Sequence, residues 1–298
     1  MHFQLTEDQQ ALRSGMRELL AGRFDREALR AAVDTAAGAP GALDRGLWRE
    51  LGEAGFFALR LPEDEGGVGL GLPEAVLLFE EAGRALLPGP LIATHLAAGL
   101  VPGAAAGKVV VTQADGPLIE WYEAADAVAG EALADGAGTP VRSVDPLTPL
   151  HRLTEPAPTT GPLVGLLTAA EQLGSAARTT EMAVAHARER EQFGAAIGSF
   201  QAVKHLCAQM LARTELARSA VYAAAVTEDL ADIAGAKLLA DEAAVRCARD
   251  CLQVHGGMGF TWEADVHLHL KRAWVRRERW VSQTGLTELL AEHLAEAG

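Results

Sequence analysis

Tyrosine occurs only twice and cysteine three times in the 298 residues, and aromatic residues make up 5% of the chain. Three cysteines, Cys207, Cys247 and Cys251, cannot build a disulfide framework. No apolar run reaches the roughly eighteen residues a transmembrane helix needs, so none is expected. Basic residues are in deficit, 26 Lys and Arg against 40 Asp and Glu, for a formal net charge of −14. A nucleic-acid binder and a protein held on anionic membrane are both unexpected at that charge. The opening MHFQLTEDQQALR has no basic-then-apolar layout of a signal peptide. The expectation is a soluble, cytoplasmic protein.

What the sequence does have is helical periodicity at both ends and a different texture between them. Thr6 and Gln9 have the spacing of a capping box, followed by Leu12, Met16 and Leu19 on one face. Asp44 caps a second pattern in LDRGLWRELGEAGF, and a helix from about Pro73 to Leu87 precedes Pro88-Gly89-Pro90. Short β-branched or aromatic runs then follow, KVVVT, LIEWY, DAVAG and PVRSV, separated by Gly, Asp and Pro. From Pro162 long helical patterns return: to about Arg190, from a cap at Ser199, from Leu230 to a stop at Gly256-Gly257, from Glu263 to Val281, and from near Thr287. The predicted fold is mainly α: an N-terminal helical domain (1–106), a reduced middle β domain (107–158) and a C-terminal four-helix bundle (159–298).

Cys247, Cys251 and His255 repeat at helical spacing on one face but lack a fourth ligand, so small buried packing residues are expected and no metal site. His267 and His269 alternate within HLHLK and receive no chemical role. The stretch RERE-QFG-AAIGSFQAVKH is harder to explain by packing. A helical hairpin needs the glycine, but not the Arg190 and Gln192 beside it. A solvated helix-end arginine and a plain glycine helix stop are the bland readings of Arg190 and of Gly256-Gly257.

Three stretches in order, LPEDEGGVGLG, REREQFGAAIGSFQAVKH and CLQVHGGMGFTWEADVHLHLKRA, resemble the acyl-CoA dehydrogenases. The resemblance implies an enzyme that holds FAD between the middle β domain and the helical bundle and desaturates an acyl-CoA thioester. A glutamate takes the α-proton, and the β-hydrogen leaves as hydride to the flavin. It implies that Arg190, Gln192 and Phe193 contact the flavin cofactor, and that Gln253, Gly256 and Gly257 contact its adenosine diphosphate end. A guanidinium and backbone amides near glycine suit a diphosphate.

Two departures stand against this pattern. The family's Thr-Glu-Pro loop and Trp-bearing strand, which hold the flavin ring, are not visible between Lys108 and Pro158. The tripeptide at Thr154 to Pro156 comes after the β runs and is treated as chance. The family's two base positions correspond to Val281 and Val164, and valine cannot accept a proton. Glu278 lies about one turn from Val281 among the arginines of RRERW, which would lower its pKa and suit a surface ion-pair cluster. Glu171, in AAEQLG, is the other fallback base or an interhelix hydrogen-bonding residue.

In this family the retained segments reach across a subunit interface, whereas the missing ones serve a chain's own site. The resemblance is therefore to the short, non-catalytic subunit of heteromeric actinobacterial enzymes acting on steroid side-chain CoA thioesters. Such a chain pairs with a homologous catalytic subunit, as an α2β2 assembly, with an electron-transfer flavoprotein as the usual acceptor. The alternatives are a self-sufficient homo-oligomer with a relocated base, Glu278 or Glu171, and a flavin-free structural partner.

Overall fold

The computed structural model describes residues 4–39, 41–130 and 138–297. Helix α1 (Glu7–Arg23) opens with the capping box read from the sequence: the Thr6 hydroxyl accepts from the Gln9 amide, and the Gln9 side chain accepts from the Thr6 amide. Asp25 and Asp44 cap α2 (Arg26–Gly38) and α3 (Arg45–Glu53) by accepting first-turn amides. Pro73 sits in the first turn of α4 (Leu72–Ala85), which ends at Leu86 in the left-handed region, and the short α5 (Leu91–Leu96) follows.

Helix α4 is buried on nearly all sides, including two carboxylates that persist there because each is paired. Glu81 accepts from Arg17 Nε at 2.8 Å. Glu80 accepts from the Tyr222 hydroxyl at 2.7 Å and pairs with Arg218. This helix lies directly on α6 (Pro162–Glu189) through glycines. A Cβ on Gly174 would stand 1.9 Å from the Glu80 carbonyl oxygen, and one on Gly83 would stand 2.0 Å from that of Glu171. The N-terminal helices are thereby fixed on the C-terminal ones.

Between them lies a five-stranded sheet of β1 (Val111–Asp115), β2 (Leu118–Glu120), β3 (Ala127–Ala129), β4 (Gly138–Val141) and β5 (Leu150–Leu153). Its order is β3-β1-β2-β5-β4, with β1 and β3 parallel and the other neighbours antiparallel. Strand β5 is not among the sequence-based runs: LHRL has two polar central residues. It pairs on both sides, with Ile119 opposite His151 in β2 and Pro140 opposite His151 in β4. Thr154-Glu155-Pro156 leaves the sheet immediately after it.

The bundle comprises α6, α7 (Gln201–Thr227), α8 (Leu230–His255), α9 (Val266–Arg277) and α10 (Gln283–Ala297). Three sequence-based boundaries need correction. Ser199 does not cap α7; its hydroxyl donates to the Ala196 carbonyl, and Phe200 takes the cap position without a side-chain bond. Helix α9 stops at Arg277 rather than reaching Val281, because Trp280 adopts φ 66° and its amide donates to Asp115 Oδ2 at 2.6 Å. Helix α10 starts at Gln283, earlier than Thr287. No helix among the described residues is long and apolar enough to cross a membrane.

Candidate functional site

The residues singled out in the sequence fall at two places in the bundle. The first is where α6 and α8 end side by side. Arg190 caps α6 with extended backbone, its amide donating to the His186 carbonyl at 2.9 Å, and the chain then folds into a tight hairpin. Glu191-Gln192 pairs with Ala195-Ala196 across a two-residue turn, Phe193 at φ 55° and Gly194 at φ 77°. Both turn residues are left-handed, as the twist of a two-residue hairpin requires, and phenylalanine is a poor occupant of that region. Yet Phe193 is 94% exposed, touching the edge of Phe200 at 6.2 Å between centroids. Gln192 and Arg190 are also exposed, and among the described residues no carboxylate pairs with Arg190.

Helix α8 ends against the last turns of α6. Gln253 is exposed on its last turn, Gly256 takes φ 61°, and Gly256–Phe260 forms a 3₁₀ turn. A Cβ on Gly259 would meet Leu252 and His255 at 3.0 Å, so this chain's own packing requires that glycine. A Cβ on Gly257 would meet nothing within 4 Å, and its backbone is not in the left-handed region. The two helix ends meet through His186 and His255, whose rings stack with centroids 4.1 Å apart. The segments holding Arg190, Gln192 and Phe193 and holding Gln253, Gly256 and Gly257 thus follow two helix ends that are in contact through this pair of rings.

The second place is the N-terminal end of α6 against the end of α9 and the sheet. Val164 is buried in the main core, and Val281 packs against the same core. Between them the ring of Trp280 lies on Gly165, where a Cβ would stand 2.1 Å from an indole carbon. Arg279, next to Trp280 in the chain, belongs to a buried charge cluster. Glu120 of β2 accepts from Arg276 Nη1 at 2.8 Å on each carboxylate oxygen, and from Arg279 Nη1 at 2.9 Å. Glu171 stands 2.7 Å from Arg276 Nε as an ion pair, without hydrogen-bond alignment. Burial alone would raise the Glu120 pKa, but Arg276 and Arg279 outweigh it and hold the carboxyl below its ordinary range.

The fallback bases fare differently from each other. Glu171 is engaged by Arg276, across from α6 to α9. Glu278 is exposed at the end of α9, not on a helix shared with Val281, and lines a 340 Å³ cleft with Gln113, Leu118, Arg142 and Trp274. Two of the arginines expected to form a surface cluster around it, Arg276 and Arg279, are instead buried on Glu120. Sequence reasoning did not single out Trp280, Gly165 or Glu120. The one available signal was the density of arginine in RRERW, which needed a buried acid from elsewhere in the chain.

Cys247 and Cys251 are buried core residues, and burial pushes the Cys251 thiol up to about 12. Among the described residues no group of three or more His, Cys, Asp or Glu is placed to hold a metal ion. His269 is buried, its Nδ1 2.9 Å from the Ser175 hydroxyl, and His267 stacks on Trp262.

Residues 6–108 match the model of the acyl-CoA dehydrogenase N-terminal domain, and residues 166–297 that of the C-terminal domain. Acyl-CoA dehydrogenase IpdE2 of Mycobacterium tuberculosis is 36% identical over 293 residues, spanning 90% of this chain and 91% of the relative. The chain belongs to the acyl-CoA dehydrogenase family. Another member, acyl-CoA dehydrogenase FadE34 of the same organism, is 35% identical over 85% of this chain, but the match spans only 44% of FadE34. The ChsE4-ChsE5 complex from M. tuberculosis contains a chain that superposes with a TM-score of 0.84, at 26% identity over 99% of both chains. This acyl-CoA dehydrogenase fold is therefore found within an assembly of two different chains.

The family's dehydrogenases work with FAD, and the two places differ in how well they suit it. At the paired helix ends a guanidinium with no carboxylate partner among the described residues, open glycine backbone and a solvent-facing Phe193 fit a diphosphate and its nucleoside. At the other end, Trp280 covers Gly165 and the Glu120 cluster joins sheet to α9, beside the cleft that Glu278 lines.

Proposed function

We propose that this chain is the non-catalytic subunit of a heteromeric, FAD-dependent acyl-CoA dehydrogenase that desaturates a bulky acyl-CoA, of the steroid side-chain type, in the cytoplasm. The observation that carries the reading is the asymmetry between its two sites. The surface that would reach a neighbour's cofactor presents an exposed arginine and open glycine backbone, whereas at its own site Trp280 covers Gly165 beside Val164 and Val281, and the Glu120 carboxylate is already engaged by Arg276 and Arg279. Bound FAD supplies the hydride-accepting ring in such enzymes. In this reading Arg190 and the Gly256-Gly257 backbone hold its diphosphate by charge and N–H donors, while Gln192, Phe193 and Gln253 cover the adjoining surface. The proton-abstracting carboxylate and the ring-binding loop come from a homologous catalytic chain, in an α2β2 assembly that passes electrons to an electron-transfer flavoprotein.

Two of the similarities support a paired arrangement. More than half of FadE34 lies beyond the match to this chain. ChsE4-ChsE5 is a complex of two named chains. The reading is tested by purifying the chain alone and together with a catalytic homologue and comparing flavin content and acyl-CoA turnover. Flavin and turnover only in the pair support it; stoichiometric flavin with turnover in the chain alone overturns it.

A further inference from the structure

His186 and His255 stand where the two cofactor-facing segments leave their helices. His186 is four residues before Arg190, and its carbonyl accepts the Arg190 amide. His255 follows Gln253 by two residues and precedes Gly256. The rings are nearly parallel, 17° between planes with centroids 4.1 Å apart. His255 Nδ1 is 2.8 Å from the Cys251 carbonyl, which fixes that ring on α8 with Nδ1 as donor. No packing demand of the distant core explains two half-buried imidazoles face to face at this end of the bundle.

We infer that the His186–His255 stack is a brace that sets the spacing between the Arg190–Phe193 hairpin and the Gln253–Gly257 turn, and so positions both segments on the FAD diphosphate. The inference rests on the trans-contact reading above and assigns these residues a positioning role, not a catalytic one. The groups facing His186 are Glu189, Arg190 and His255, with Cys251 adjoining His255. Burial first, then His255 and Arg190, lower the His186 pKa, which keeps its ring neutral at neutral pH. Stacked aromatic rings attract, and protonating His186 puts a charge on a half-buried ring that burial and Arg190 oppose. The brace is therefore intact at neutral pH and weakened on acidification.

The test titrates FAD into the flavin-free complex of this chain with its catalytic homologue, following flavin fluorescence. His186→Ala is expected to raise the FAD Kd by roughly threefold to tenfold, the scale of one lost aromatic pair, and His186→Phe to restore it. His255→Ala and His255→Phe read the same contact from the other helix, should either alanine variant fold poorly. Wild-type affinity is expected to fall as pH drops below the ordinary histidine value of 6.5, and to fall less in His186→Phe. Unchanged affinity in both alanine variants, or no restoration by phenylalanine, overturns the brace. So does affinity that rises on acidification, since the rings would then be direct anion ligands. Arg190→Ala in the same complex separates the two claims: if it weakens FAD while the histidine variants do not, only the brace fails; if it too has no effect, the trans-contact reading fails.

Discussion

The indole of Trp280 rests on Gly165 so closely that a Cβ there would stand 2.1 Å from the ring. Val164 is the neighbour of that glycine and Val281 the neighbour of that tryptophan, and these are the residues where the proposed reading places the family's bases. An aromatic ring thus occupies the junction between α6 and the segment after α9. Trp280 can reach it because α9 ends early and its backbone turns left-handed onto Asp115.

This contact predicts that Gly165→Ala destabilises the protein. The added methyl overpacks a filled site, and such changes cost about 1–3 kcal/mol. Trp280→Ala should cost more, about 3–5 kcal/mol, by leaving a cavity. Urea denaturation of each variant against the wild type checks both. A Gly165→Ala protein of unchanged stability would mean that the indole moves aside freely.

The Glu120 cluster predicts a pH dependence with a definite sign. Its carboxyl is held below the ordinary value of 4.5, so the unfolded chain binds the proton more readily than the folded one. The stabilisation is fully present above the unfolded value and is lost as pH falls through the folded one. Glu120→Gln should cost about 3–5 kcal/mol at neutral pH by leaving Arg279 without its buried counter-ion and Arg276 with Glu171 alone. It should also flatten the acid limb of a stability-versus-pH curve. An acid limb identical in the variant would contradict the assignment.

Gly257 separates a structural from a cofactor role. Nothing in this chain lies within 4 Å of a Cβ built there, so Gly257→Val should leave the melting temperature of the isolated chain nearly unchanged. In the complex it should reduce FAD retention, because the branched side chain blocks close backbone approach. Arg190→Ala should weaken FAD by about tenfold to a hundredfold, the scale of one charge-assisted contact. Equilibrium dialysis against FAD measures both. Full retention in Gly257→Val would show that no ligand approaches this turn.

The sequence made some of this legible and concealed the rest for physical reasons. Local chemistry was readable: the Thr6–Gln9 capping box, the Asp44 cap, Pro162 in the first turn of α6 and Gly256 at the end of α8 depend on neighbours only a few residues away. Strand β5 was hidden because His151 and Arg152 read as loop until β2 and β4 flank them. The arginines of RRERW looked solvated because their partner, Glu120, lies 156 residues from Arg276. The end of α9 was misplaced for a similar reason, since it is set by Asp115 on a distant strand. The open helix ends carried recognisable motifs. The closed end did not, because closure is made by long-range packing.

Glu278 and Glu171 are the fallback bases of the self-sufficient alternative. Glu278→Gln in the complex should leave turnover within a few-fold, whereas removing a true general base commonly lowers it by about 10²–10⁴. Glu171→Gln should act through stability instead, since it deprives Arg276 of an ion pair. Activity measured on complexes shown to retain FAD distinguishes these outcomes. Collapse of turnover in Glu278→Gln with flavin still bound would return the catalytic role to this chain.

The most direct test of the central claim is the flavin stoichiometry of the purified chain and of its complex with the catalytic homologue, read from visible absorbance after gel filtration. The account predicts almost no flavin in this chain alone and about one FAD for each pair of chains in the complex, the occupancy expected when one partner's ring site is packed shut. One FAD per chain, in the isolated protein or on both partners of the complex, would contradict it.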